Sequence, residues 1–327
     1  MPDTRVLVID DDVEIRRKLR EELLKADWIV DDVSDALSGL ESIHQARTYG
    51  EGYHLIITGA FLPDLDGLLF IRTLREQYPE VPIMVLTGYG DEELKAQIQA
   101  QPLTVYLAKP LDMDKFNQEI KKLKLEHDTS RPLPAPPMIP PDDNVGAYIY
   151  FNIDTASGGA AAYDALRALS GVYSANAVRG EFNLVLRVAV PSPEALDKLL
   201  ADAKSVPGAT YVSHEHYVPA MLSAANEEFV RHYQTVAAEV NKDYLPGQDT
   251  NAYLMIDVDR YQMERIYISI LLTEGVFRCR VIGSGTKLMV LMSHAVRPGV
   301  VRHLLRKLAE MDGILRVREA TVINVAE

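Results

Sequence analysis

A single cysteine, Cys279, stands in the 327-residue chain, so no intrachain disulfide can form. Basic residues are in short supply as well. The 34 Lys and Arg against 47 Asp and Glu leave a formal net charge of -13, which repels phosphate backbones and anionic membrane surfaces. Long apolar runs are missing too: stretches such as Ile266 to Leu272 fall far short of the roughly 18 residues a membrane-spanning helix needs. Nothing after Met1 reads as the apolar core of a secretory leader. Together these absences lead us to expect a cytoplasmic chain without membrane contact, and they argue against direct nucleic-acid binding. No set of nucleophile, base and orienting group stands out, so no enzyme is expected.

What is present is an ordinary globular balance of 47% apolar and 25% charged residues, in a chain too long for one core. Two or three domains are expected. The clearest boundary is residues 126–143, where Pro132, Pro134, Pro136, Pro137, Pro140 and Pro141 fix φ and remove donors, favouring an extended spacer. Before it, in residues 1–125, strand-like runs (Val6 to Ile9, Trp28 to Val30, Leu55 to Ile57, Ile83 to Leu86, Val105 to Leu107) alternate with helical spacing such as Ile15, Leu19 and Leu23. Runs apolar on both faces suit central parallel strands covered by helices, that is, a doubly wound α/β sheet with its site at the strand carboxyl ends.

After the spacer the order becomes strand, helix, hairpin, helix, strand, and it occurs twice. Ala147 aligns with Ala252, Val185 with Val290 and Gly208 with Gly313, each pair 105 residues apart. This order reads as two α+β, ferredoxin-like βαββαβ units over residues 144–219 and 251–327. Between them, in residues 220–250, Phe229, Tyr233, Val236 and Val240 keep helical spacing, which predicts a connecting helix over Ala220 to Asp243 that bridges the repeats.

In the first domain, Asp10, Asp11 and Asp12 follow the first strand, Thr58-Gly59 the third, Thr87-Gly88 the fourth, and Tyr106-Leu107-Ala108-Lys109-Pro110 the fifth. The domain resembles the receiver domain of two-component response regulators, which has the flavodoxin-like doubly wound fold. The resemblance implies that Asp10 and Asp11 match the acidic pair that holds Mg²⁺, Thr87 the switch hydroxyl, Lys109 the phosphate-binding lysine and Tyr106 the aromatic switch. It also places Gly59, four residues before Pro63, where the family carries its phosphoacceptor aspartate. A glycine can neither accept a phosphoryl group nor ligate a metal, so the site Asp10, Asp11, Gly59, Thr87 and Lys109 is a degenerate phosphorylation site. Any Mg²⁺ bound by Asp10 and Asp11 would keep more of its waters, and Lys109 is free to pair with either carboxylate. Taken alone, the aspartates also suit the start of a helix, as caps, and Tyr106 suits a half-buried strand position.

The repeats resemble the amino-acid-binding regulatory domain of the Lrp/AsnC family, through Leu169-Ser170-Gly171-Val172 and Val178-Arg179-Gly180-Glu181-Phe182-Asn183. The resemblance implies paired units with a small metabolite such as an amino acid between them, contacted by Arg179, Gly180, Glu181 and Asn183. Arg179 and Glu181 offer charge complementarity to a carboxylate and an amine; the other reading is exposed hairpin charges. The family has aspartate where Asn183 stands, and Leu288 takes that place in the second copy at the same spacing. Pairing of the two sheets within the chain, or exchange in a homodimer, is expected to bury their open faces.

Three weaker patterns remain. His214-Glu215-His216 places two imidazoles on one strand face, short of a metal site by itself. Gly283-Ser284-Gly285-Thr286-Lys287 lacks the phosphate-loop spacing and reads as a hairpin turn. Cys279 reads as a strand residue of the core or its edge. The expectation is therefore an atypical response regulator acting on signalling proteins, with an amino-acid-responsive transcription regulator that binds DNA directly as the alternative.

Overall fold

The computed structural model describes residues 4–49, 52–62, 67–88, 92–126, 145–154, 159–240, 250–273, 275–293 and 300–323. The proline-rich spacer, Pro63 and Leu245-Pro246-Gly247 lie outside them. The chain divides into two units, Met1–Ile139 with Leu222–Val240, and Pro140–Met221 with Asn241–Glu327.

In the first unit strands and helices alternate: β1 (Arg5–Ile9), α1 (Val13–Lys25), β2 (Ile29–Val33), α2 (Ala36–Thr48), β3 (Leu55–Gly59), α3 (Gly67–Gln77), β4 (Ile83–Thr87), α4 (Glu92–Gln99), β5 (Thr104–Ala108) and α5 (Met113–Glu126). The strands are parallel, in the order β2-β1-β3-β4-β5. Every residue of β3 and β4 is buried, as expected for strands sandwiched between two helix layers. Val6, Val8, Leu55, Ile57, Met84 and Leu86 face Leu19, Leu23, Phe116 and Ile120 in one core. β2 starts one residue later than the apolar run suggests, because the Trp28 N–H donates to Leu23 O and closes α1.

The second unit opens with β6 (Val145–Ile153), α6 (Gly159–Arg167), β7 (Val172–Arg179), β8 (Leu184–Val190), α7 (Pro193–Lys204) and β9 (Ala209–His216). Then comes α8 (Ala224–Val240), which belongs to the first unit. The second unit resumes with β10 (Thr250–Val258), α9 (Met263–Leu271), β11 (Val276–Ile282), β12 (Lys287–Ser293), α10 (Val300–Glu310) and β13 (Ile314–Val322).

The helix expected to bridge the repeats is therefore used differently. Its apolar side packs on α2 and α3 of the first unit, with Phe229, Val230, Tyr233 and Val236 buried and the Phe229 ring 5.7 Å from that of Phe70. Arg47 donates to Glu228 Oε1 at 2.6 Å, and His44 Nδ1 lies 3.4 Å from Glu228 Oε2. The periodicity identified the buried face correctly. It carried no information on which surface that face would cover.

The eight strands of the second unit form one antiparallel sheet, β11-β12-β10-β13-β7-β8-β6-β9. The halves join where β13 pairs with β7 through Thr321 opposite Arg179 and Val322 opposite Val178. At the two outer edges Tyr217 bridges Ile282, the Val218 N–H donates to Val281 O, and the Gly283 N–H donates to His216 O. The ribbon thus closes on itself, and Tyr148, Tyr150, Val185, Tyr253, Met255, Met289 and Leu291 meet inside.

The 105-residue spacing holds for the first and last strands of each half. The Asp154 N–H donates to Gly208 O and the Asp259 N–H to Gly313 O, and both glycines have positive φ. It fails in the hairpins. Tyr150 lies opposite Val185, whereas Met255 lies opposite Met289, so the hairpins are offset by 104 and Val185 corresponds to Met289 rather than Val290. Gly171 and Gly275, the positive-φ residues before each hairpin, are likewise 104 apart. By the same register Asn183 corresponds to Lys287, not Leu288. Because side chains alternate across a sheet, one residue of slip moves Val290 to the other face; apolar residues on both faces hid this.

Candidate functional site

Parallel pairing brings the carboxyl ends of β1, β3, β4 and β5 to one edge of the first sheet, so Asp10, Gly59, Thr87 and Lys109 come together there. Asp10 is fully buried. Its Oδ1 accepts from the Asp12 N–H at 3.0 Å, and its Oδ2 lies 2.7 Å from Lys109 Nζ, a charge contact rather than an aligned hydrogen bond. The Lys109 N–H donates to Thr87 O at 2.6 Å, which ties the end of β5 to that of β4. Asp11 is exposed. Asp12 caps α1, its carboxylate accepting from the Glu14 and Ile15 N–H groups. The triplet thus divides between a buried pocket residue and a cap.

Gly59 ends β3 beside this ion pair. A Cβ there would meet Asp10 Oδ2, Leu62 Cδ2 and Phe61 O, each at 3.4 Å, which is ordinary contact, so a Cβ itself is tolerated. Thr87 is buried, with its Oγ1 making no hydrogen bond. Thr58 Oγ1 donates to Gly59 O and is taken up by the strand backbone. Tyr106 is half-buried, with the Lys95 ammonium 5.9 Å from its ring centre. Arg16, which the sequence reading passed over, donates to the backbone carbonyls of Asp10 and Asp11. It fixes the acidic turn from below.

Among the described residues, this edge offers few metal donors. Asp10 is engaged by Lys109 and the Asp12 N–H, and no group of three or more Asp, Glu, His or Cys forms among the described residues. Asp10 and Asp11 alone do not provide the oxygen set that would hold Mg²⁺ firmly.

Residues 6–121 form a response regulator receiver domain. The chain is 31% identical to the C4-dicarboxylate transport transcriptional regulatory protein DctD of Pseudomonas aeruginosa, across 134 residues covering 39% of this chain and 28% of that protein. It is 29% identical to the response regulator receiver protein CpdR of Brucella abortus, covering 36% of this chain and 95% of that one. The solved structure of the chemotaxis response regulator CheY4 of Vibrio cholerae is 26% identical, covering 37% of this chain and 98% of that chain, with a TM-score of 0.33. The chain spans 28% of DctD and 22% of the transcriptional regulator NtrC of Proteus hauseri. What it shares with them is the receiver domain.

Outside the receiver domain, the residues expected to contact a metabolite do not converge. Glu181 faces Arg316 at 3.4 Å and Arg318 at 3.1 Å. The Asn183 amide clamps the Ile153 peptide, Oδ1 accepting from N–H at 2.7 Å and Nδ2 donating to the carbonyl at 2.8 Å. Gly180 lies against the β13 backbone, where a Cβ would come within 3.3 Å of the Ala320 Cβ. Arg179 is exposed and pairs with Thr321 through the strand ladder. Glu181 is instead paired with Arg316 and Arg318 at the exposed seam between the halves, so the carboxylate and amine clamp expected of Arg179 and Glu181 is not formed in this arrangement.

The polar group that sequence reading missed is inside the closed sheet. Arg187 is almost fully buried, directly opposite Tyr148 on β6, with its guanidinium 5.3 Å from the Tyr173 ring centre. Tyr253 donates to Asn176 Oδ1, as does Ser174, and the Tyr173 and Tyr217 hydroxyls are 3.1 Å apart. Burial pushes the Tyr148 and Tyr217 hydroxyls well above the usual phenol range. The available signal was one charge interrupting the apolar strand Leu184-Val185-Leu186-Arg187-Val188. Gly283 to Lys287 forms the β11–β12 turn, with Gly283 and Gly285 at positive φ, and Cys279 is a buried free thiol raised by desolvation.

Proposed function

We propose that the chain is an atypical response regulator in two-component signal transduction, whose receiver domain works without aspartyl phosphorylation. The observation that carries this reading is Gly59 beside the Asp10–Lys109 ion pair. Phosphoryl transfer to a receiver needs a carboxylate nucleophile aimed at an in-line donor. At the end of β3 there is no side chain, and the lysine that would meet the phosphate already has an anionic partner.

The βαββαβ halves are read as ferredoxin-like units similar to the Lrp/AsnC regulatory domain, serving as a protein-interaction or metabolite-sensing module. The seating of α8 on α2 and α3 supports coupling, since the helix that follows the first repeat in the chain is packed into the receiver unit. Signalling proteins in the cytoplasm are the proposed partners, with the chain acting as a homodimer. The relatives named as transcriptional regulators match only 39% and 33% of this chain, and the net charge of -13 disfavours direct DNA contact.

The test is incubation of the full chain with a small phosphodonor and Mg²⁺, followed by intact-mass measurement. No phosphoryl adduct is expected. Gly59→Asp, whose Cβ the pocket accepts, is expected to gain Mg²⁺ binding. A stoichiometric adduct on the unmodified chain would refute the reading.

A further inference from the structure

The two imidazoles of the His214-x-His216 motif converge. They project from the same face of β9, opposite to that of Glu215, which pairs with Lys287. Their Nε2 atoms are 3.1 Å apart and the rings are nearly perpendicular, at 79°. Two nitrogens at that separation, each bonded at roughly 2.05 Å, subtend about 98° at a shared metal ion. This lies between the cis angle of a square-planar or octahedral centre and the tetrahedral angle.

Three further observations bear on the pair. The Tyr211 hydroxyl lies 2.6 Å from His214 Nδ1; with Nδ1–H donating to the phenol oxygen, the way an outer partner commonly orients a ligating imidazole, His214 Nε2 carries the lone pair and accepts from His216 Nε2–H, so a cation bound by both nitrogens takes the place of that proton, which moves to His216 Nδ1. His216 is exposed and His214 half-buried, so water reaches the pair from the His216 side. At the corresponding positions of the second half, 105 residues on, stand Glu319 and Thr321, so the repeat architecture does not itself call for imidazoles there. The charges around His214 are mixed. Burial, His216 and Lys204 favour its neutral, ligand-competent form, whereas Glu215 and Asp197 of α7 draw positive charge towards it. The Lys204 ammonium lies over the Tyr211 ring and works against a second cation, while Asp197 works for one.

We propose that His214 and His216 form an open, two-imidazole site for a late first-row divalent cation, with Tyr211 as the positioning residue and water in the remaining coordination places. Affinity for such a pair follows the series that rises from Co²⁺ through Ni²⁺ to Cu²⁺. Protons compete with the cation for the same nitrogens, so affinity falls as pH is lowered.

The test is calorimetric titration of the full chain with Ni²⁺ alone. One equivalent is expected to bind, at least tenfold more weakly in His214→Ala and in His216→Ala, and roughly tenfold more weakly in Tyr211→Phe, in line with loss of an outer-sphere partner. In case a variant fails to fold, the unmodified chain supplies a second reading. Substoichiometric Cu²⁺ should broaden the proton resonances of two histidines ahead of the other six, and those two should be His214 and His216. Ni²⁺ binding unchanged in His214→Ala and His216→Ala, absence of binding to the unmodified chain, or earlier broadening at any other histidine would overturn the proposal.

Discussion

Lys109 Nζ sits 2.7 Å from Asp10 Oδ2, a carboxylate with no exposure to solvent. A buried charge keeps its place only while it is paired, and removing one partner typically costs about 3–5 kcal/mol. Lys109→Met is therefore expected to destabilise the receiver domain by that order, and Asp10→Asn in the same chain to recover most of the loss. Urea unfolding followed by a receiver-specific probe such as Trp28 measures both. Equal midpoints for the single variant and the parent would show that the contact does not hold the pocket.

The seat of α8 is expected to be acid-sensitive in two steps. Burial lowers the pKa of His232, with Arg231 and Arg47 acting in the same direction, against Glu228 and Glu76. A depressed histidine contributes stability above its unfolded pKa that is lost as pH falls towards its folded value. Glu228 is raised by burial but more strongly lowered by Arg47, His44 and Gln77, for a net decrease, so its share is lost further down, from the ordinary carboxylate range towards its lower folded value. The protection factors of the α8 amides, corrected for the slower intrinsic exchange at lower pH, should fall below pH 6.5. His232→Phe should remove the upper step and leave the lower one.

Asn183 stands in for a strand neighbour at the end of β6, satisfying both polar groups of the Ile153 peptide. Asn183→Ala should cost about 1–3 kcal/mol through these lost partners. Asn183→Asp keeps the acceptor but turns a second anionic oxygen towards the Ile153 carbonyl, so it should rescue little. Thermal unfolding of the two variants distinguishes this structural role from an effector contact, which would leave stability unmoved.

The Tyr148 hydroxyl is buried without a hydrogen bond. Removing an unsatisfied buried polar group while keeping the ring that packs on Tyr217 at 5.0 Å relieves its desolvation cost. Tyr148→Phe is expected to be neutral or to raise the melting temperature. A clear loss of stability would mean that the hydroxyl has a partner such as an internal water.

Much of the receiver domain was legible because short-range physics dictates it. Val6 to Ile9 and Ile83 to Leu86 are apolar on both faces, which only a sheet covered on two sides can bury, and parallel connections then carry Asp10, Gly59, Thr87 and Lys109 to one edge. The element order of the second half was also readable from its internal repeat.

Three features depended on contacts distant in sequence. Val185 and Val290 are equally apolar, so a one-residue offset between the hairpins left no trace in the pattern. Phe229, Tyr233 and Val236 declared a buried helix face, but only packing chose α2 and α3 to cover it. Glu181 looked free to meet a ligand until the β7–β13 seam brought Arg316 and Arg318 against it. Local sequence thus determined which residues must leave water and what chemistry the pocket lacks, since both follow from side-chain type and period. Which surfaces and charges meet was decided by the tertiary structure, because that choice is made between segments whose sequences carry no record of each other.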